Sequence, residues 1–182
     1  MRLFASLLAA LLVSFAASTA GAATLDPENT LYMDVPAGRV VIKLRPDLAP
    51  NHVAQIKALA RKGFYDGTPF HRVIDGFMAQ GGDPTGTGTG GSDLADIKAE
   101  FTDTPFVRGT VGMARSNDPD SANSQFFICF ADASPLNGQY TVWGEVVSGM
   151  EFVDALKKGD GDNGIVDGPD KLIKLQVAAD SK

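Results

Sequence analysis

Phe70-His71-Arg72-Val73-Ile74-Asp75-Gly76-Phe77-Met78-Ala79-Gln80-Gly81-Gly82 is the stretch whose reading decides the fold. Two short runs of strand-forming residues flank Asp75-Gly76, a dipeptide that favours a tight hairpin-like turn. Side chains alternate across a strand. Arg72 then shares a face with Phe70 and Ile74, while His71 and Val73 point the other way. In the second run Met78 and Gln80 fall on one face, with Phe77 and Ala79 opposite. A permanently charged guanidinium beside Met, Phe and Gln describes an apolar pocket with one cationic donor at its edge. The same residues also describe an arginine in a surface ion pair with a core Phe and Met behind it. This stretch alone does not choose between the two.

On the N-terminal side, Leu31 to Val35 and Arg39 to Leu44 are apolar and β-branched and are separated by Pro36-Ala37-Gly38, the spacing of a short hairpin. Pro50 can open a helix in which Val53, Ile56, Leu59 and Ala60 recur at helical spacing, with Gly63 closing it. His52 falls in its first turn, where a solvated side chain is expected. On the C-terminal side, residues 82–91 form a loop rich in glycine and threonine that lets backbone pass close to a site. No Gly-Lys-Ser/Thr follows it, so it is not a phosphate loop. Asp93 to Thr104 is polar and irregular, with a single helical turn expected around Leu94-Ala95-Asp96. Further strands are expected at Gly109–Ala114, Phe126–Phe130, Tyr140–Val147 and Leu172–Val177, and an amphipathic helix at Gly149–Lys158. Asp160-Gly161-Asp162-Asn163-Gly164 opens like a calcium loop, but Ile165 stands at the required glycine and Lys171 at the final carboxylate. About eight short strands and two helices suggest a mainly β protein. The expected architecture is a closed eight-stranded antiparallel barrel capped by two α-helices.

The chain has 182 residues, 44% of them hydrophobic and 21% charged, with 20 glycines and a formal net charge of −6. That is one domain's length, and the acidic balance argues against nucleic acid or an anionic membrane as main partner. Arg2, the uncharged apolar run Leu3 to Ala17 and the small residues Ala20-Gly21-Ala22 read as a secretory signal with its cleavage site. Residues 1–22 are therefore expected to be removed, leaving a single domain over 23–182. The expected location is periplasmic or secreted, without stable membrane association after cleavage. An uncleaved anchor is the other reading of the same stretch, which is nearly long enough to span a bilayer. Cys129 is the only cysteine, so no internal disulfide can form. It lies in an apolar run and reads as a small buried hydrophobe.

Several ordered motifs together carry a resemblance. Phe70-His71-Arg72-Val73-Ile74 is followed by Gly76-Phe77-Met78-Ala79-Gln80-Gly81-Gly82-Asp83 and then Gly86-Thr87-Gly88-Thr89-Gly90-Gly91. Gly112-Met113-Ala114-Arg115 and Ser124-Gln125-Phe126-Phe127-Ile128 come next in order and rough spacing. From about Leu31 to Val177 the chain resembles the cyclophilin family of peptidyl-prolyl cis-trans isomerases. Its signal segment and its Asp118-Pro119-Asp120-Ser121 loop make it most similar to the bacterial exported branch.

The resemblance implies an eight-stranded barrel packed solid inside, with the active groove on its outer surface. It implies Arg72 as electrostatic catalyst, and Phe77, Met78, Phe127 and Leu136 as the proline-ring pocket with Tyr140 at its edge. Gln80 and Gln125 would hold substrate carbonyls, and backbone groups of Ala114 and Arg115 would pair with the residue before proline. It implies a monomer acting on proline-containing unfolded or peptide substrates, without metal or cofactor. Two positions depart from the better-known pattern. Pro135 stands where a large aromatic, often Trp, usually precedes the leucine, and Tyr140 stands where many members have His. Weak binding of the cyclic peptide drug cyclosporin is therefore expected. Two alternatives remain: a non-catalytic peptide-binding module or holdase using the same groove, and a barrel holding a small hydrophobic ligand. The second fits poorly, because alternate apolar side chains should fill so small a lumen.

Overall fold

The computed structural model describes residues 24–181, so the leader expected over 1–22 lies outside the described residues. Strands β1 (Thr30–Val35) and β2 (Gly38–Leu44) form the expected hairpin, paired from Thr30↔Lys43 to Val35↔Gly38. Helix α1 (Pro50–Arg61) follows and buries Val53, Ile56, Leu59 and Ala60. Its N-cap, Ala49, has no side chain that could satisfy the free amides of the first turn. Glu100 supplies the missing acceptor from 48 residues away, taking the His52 amide at 3.0 Å and the Asn51 amide at 3.1 Å. The same carboxylate lies 2.6 Å from His52 Nδ1. His52 is therefore fully buried and not solvated, because a segment distant in sequence closes over it. That segment forms no helical turn at Leu94-Ala95-Asp96; it is held by a bridge between Ile97 and Ala122.

The deciding stretch folds as β3 (Arg72–Ile74), a turn at Asp75-Gly76-Phe77, and β4 (Met78–Gly81). Gly76 takes φ +69°, the left-handed conformation that a tight turn needs. Strands β5 (Thr110–Met113), β6 (Phe126–Cys129), β7 (Val142–Ser148) and β8 (Lys174–Val177) complete one antiparallel sheet. Helix α2 (Met150–Asp154) is shorter than the expected Gly149–Lys158. The Lys157 amide is taken instead by the Asp170 carboxylate, at 2.8 Å.

The strand order is β3-β4-β6-β5-β7-β2-β1-β8. The sheet is an open, curled half-barrel and not the closed barrel expected from the strand count. Its edges, β3 and β8, do not pair. Between them residues 160–173 supply only isolated bridges, Pro69↔Lys171 and Arg72↔Ile165. Pro69 and Pro169 offer no backbone donor, and Gly164 and Gly168 take positive φ, so no ladder can run there.

The main core lies between the concave face of the sheet and α1. Phe126 is its hub, packed edge-on against Tyr65, Phe70 and Trp143 at centroid distances of 5.8, 6.2 and 5.9 Å. Phe70 belongs here and not on the face of Arg72, because β3 begins only at Arg72 and alternation does not extend back to it. Phe126→Ala removes the ring on which the three others converge. It is expected to cost about 3–5 kcal/mol of stability, read as a lowered urea midpoint with little change in slope.

Candidate active site

Register sets the site. Across four neighbouring strands Arg72 faces Gln80, Gln80 faces Phe127, and Phe127 faces Gly112. Directly opposed residues of antiparallel strands share a face, so these four form a row on the side of the sheet away from the main core. The next row, Val73, Ala79, Ile128 and Val111, faces the core and is fully buried.

A second, smaller apolar cluster grows on the outer row. Met78, Phe106, Phe127, Cys129, Ala133 and Val142 form its buried part, and Phe77, Ala114, Leu136 and Tyr140 pack against it partly exposed. Phe77 sits in the turn ahead of β4, which frees it from strand alternation and lets it join Met78 on the same side. Phe106 stacks on Phe127 at 5.6 Å, and Tyr140 meets Phe127 edge-on at 5.6 Å. Gly112 makes this possible, since a methyl there would lie 2.5 Å from Phe127 and 2.6 Å from Phe106. The cluster opens as a cleft of about 230 Å³ lined by Arg72, Phe77, Met78, Gln80, Ala114, Arg115, Phe127, Leu136 and Tyr140. Gln125, the remaining expected residue, lines an adjoining cleft of about 540 Å³ that shares Gln80, Ala114 and Arg115 with the first. Pro135 lies in a 3-10 turn, Ser134–Leu136, and is exposed.

Four of the six arginines among the described residues pair with carboxylates: Arg39, Arg45, Arg61 and Arg108. The two at the cleft do not. Arg72 Nε donates to the Asn163 carbonyl at 2.9 Å, and Nη1 to Gln80 Oε1 at 3.3 Å. Nη2 makes no hydrogen bond among the described residues. The ion-pair reading of Arg72 therefore falls. Its positive charge borders an apolar cleft with no countercharge beside it, where the local medium weakens electrostatic forces less than bulk water does. Arg115 is fixed by the carbonyls of Gln139 and Ser116, and its guanidinium lies 4.6 Å over the Tyr140 ring. Gln80 Nε2 donates to Gln125 Oε1 at 2.9 Å, and Gln125 Nε2 in turn donates to the carbonyls of Gly88 and Gly90. Cys129 is buried, and burial pushes its thiol up to about 12, the opposite of an activated nucleophile. Among the described residues, no group of three or more His, Cys, Asp or Glu side chains could hold a metal ion.

Sequence reasoning missed Asn163, which holds Arg72 through its backbone carbonyl. No side-chain pattern marks a carbonyl brought in from 91 residues away.

Residues 30–177 match the model of the family described as cyclophilin type peptidyl-prolyl cis-trans isomerase/CLD. A probable peptidyl-prolyl cis-trans isomerase of Brucella suis is 58% identical over 179 residues, covering 92% of this chain and 90% of that protein. The crystal structure of cyclophilin AquaCyp293 from Hirschia baltica superposes with a TM-score of 0.78 at 31% identity, covering 87% of this chain and 77% of that one. A cyclophilin type isomerase from Cryptosporidium parvum, crystallised in the presence of the dipeptide Ala-Pro, has a TM-score of 0.74 at 28% identity, over 81% of this chain and 98% of that one. The chain belongs to the cyclophilin family and is a peptidyl-prolyl cis-trans isomerase.

His71 lies behind the site, only 7% exposed, and neither ring nitrogen finds a well-directed hydrogen-bond partner among the described residues. Burial pushes its pKa below the ordinary histidine value, and the opposing pull of Asp83 does not restore it. A depressed histidine pKa means that the unfolded chain binds the proton more readily. Stability is then complete above about pH 6.5 and is lost as pH falls from there through the lower folded value. An NMR titration of the ring protons is expected to place His71 below 6.5. His71→Phe is expected to flatten the decline in stability under mild acid, measured by denaturant midpoints.

Proposed function

We propose that this chain speeds rotation about X-Pro bonds in exported polypeptides as they fold, with Arg72 as an electrostatic catalyst. The observation that carries the reading is the uncompensated guanidinium of Arg72 at the wall of an apolar cleft sized for a small ring. Rotation is slow because amide resonance must be broken, at a barrier of about 18–20 kcal/mol. In the twisted state the prolyl nitrogen pyramidalises and localises its lone pair, and it becomes an acceptor. A donor aimed at that nitrogen stabilises the twisted state more than either planar one, which is the requirement for catalysis. Arg72 Nη2, which makes no hydrogen bond among the described residues, is the donor offered to that nitrogen, while Nε and one of the two Nη1 hydrogens are engaged by Asn163 and Gln80.

The proline ring is taken by Phe77, Met78, Phe127 and Leu136, with Tyr140 at the edge. Gln80 and Gln125 receive substrate carbonyl groups, and the backbone at Ala114 and Arg115 pairs with the residue before proline. The adjoining larger cleft, continuous with the first through Gln80, Ala114 and Arg115, gives the preceding residues somewhere to lie. The Cryptosporidium relative crystallised with Ala-Pro supports proline-containing peptides as the substrate class. The leader-like segment Leu3 to Ala17 with Ala20-Gly21-Ala22 supports exported clients, a periplasmic or secreted location and release from the membrane.

Removing one preorganised donor costs roughly 2.7–4 kcal/mol in other enzymes, so Arg72→Ala is expected to lower isomerase activity on an Ala-Pro peptide by about 10²–10³-fold. Protease-coupled or NMR exchange assays on folded variant read this directly, and near-normal turnover would overturn the assignment. Because Pro135 offers no aromatic wall or indole donor, cyclosporin is expected to bind weakly. A sub-micromolar dissociation constant by calorimetry would contradict that.

A further inference from the structure

Asp83 is fully buried at the mouth of the glycine-rich loop, yet it lines neither cleft. No cation pairs with it among the described residues. Its carboxylate instead gathers the loop around itself. Oδ1 accepts the Thr85 amide and the Thr85 hydroxyl, both at 2.8 Å, and Oδ2 accepts the amides of Gly88 at 2.7 Å and Gly90 at 3.1 Å. The approach is close enough that a methyl on Gly90 would collide with Oδ1, and Gly88 needs φ +85° to turn its amide inward. With the Gly88 and Gly90 amides turned inward, the carbonyls of the same two residues reach Gln125 Nε2 at 3.1 and 2.8 Å.

Two acceptors on one end of an amide decide which end is nitrogen. Gln125 must therefore present Oε1 to Gln80 Nε2, and Gln80 must turn its own Oε1 toward Arg72 Nη1. The loop carbonyls at one end and the donor-only guanidinium of Arg72 at the other impose the same polarity on the chain of bonds. We propose that Asp83 is a positioning residue of the isomerase site, which orders the 85–90 loop so that Gln125 and Gln80 are held in one amide orientation and Arg72 is aimed by them. The inference rests on the reading of Arg72, Gln80 and Gln125 as the working groups. A charged acceptor suits the role: although burial opposes ionisation, the bonds from Thr85, Gly90 and Gly88 outweigh it and hold the carboxyl below the usual range.

The test is a double-mutant cycle on the full mature chain with an Ala-Pro peptide. Asp83→Asn keeps the shape but turns an NH₂ toward inward-facing N–H groups. It is expected to lower kcat on the order of 10- to 100-fold with little change in KM. In a Gln125→Ala background the same change should lower kcat by no more than about twofold, because the path it acts through is gone. A purely structural Asp83 would instead lose the same factor in both backgrounds, and that result would overturn the proposal. Side-chain amide resonances of Gln80 and Gln125 are expected to move in Asp83→Asn; unmoved signals also overturn it. Should Asp83→Asn not fold, Gly90→Ala displaces the same carboxylate without altering charge and is read in the same two ways. If wild-type chain fails to isomerise the peptide, the Arg72 reading fails, while the amide resonances still decide whether Asp83 sets their orientation.

Discussion

One lateral row, Arg72–Gln80–Phe127–Gly112, holds the rest of this structure to account. Each member is the cross-strand partner of the next, so the guanidinium, the amide, the pocket floor and the space for that floor are locked together by backbone pairing. A slip of one residue in any of three strand pairs would send part of the row into the core. The same slip would expose part of the Val73–Ala79–Ile128–Val111 row to water. Burial of that inner row therefore enforces the register of the outer one, and the hydrophobic core is the source of the site's precision.

The row also explains where the cation sits in energy. Elsewhere the arginines of the described chain are answered by carboxylates, in pairs whose side chains are at least partly exposed and that are worth little individually. Arg72 and Arg115 are answered only by neutral oxygens. A carbonyl fixes the direction of a guanidinium without cancelling its charge. Direction and uncancelled charge are the two properties that the role proposed for Arg72 asks of its guanidinium.

The hairpin Leu31–Leu44 and the buried stripe of α1 were both legible from periodicity, because each depends on neighbours within a few residues. The closed barrel was not. Closure depends on whether β3 can find β8, and prolines and positive-φ glycines in two separate segments prevent a ladder that strand counting assumes. His52 failed for a similar reason, since its environment comes from Glu100, beyond the reach of any local pattern. Phe70 and Phe77 were misplaced by extending strand alternation past the ends of the strands.

By itself, the order of residues determined the strand and helix inventory, the alternation that separates Phe127 from Phe126, and the motifs that mark the cyclophilin family. These follow from short-range sterics and side-chain type, which travel with the sequence. Tertiary structure alone decided that the sheet stays open, that Asn163 takes hold of Arg72, and that the loop tied to Asp83 brings the Gly88 and Gly90 carbonyls to the Gln125 amide. Each of those contacts joins groups from different parts of the fold, and their geometry exists only once the sheet has curled.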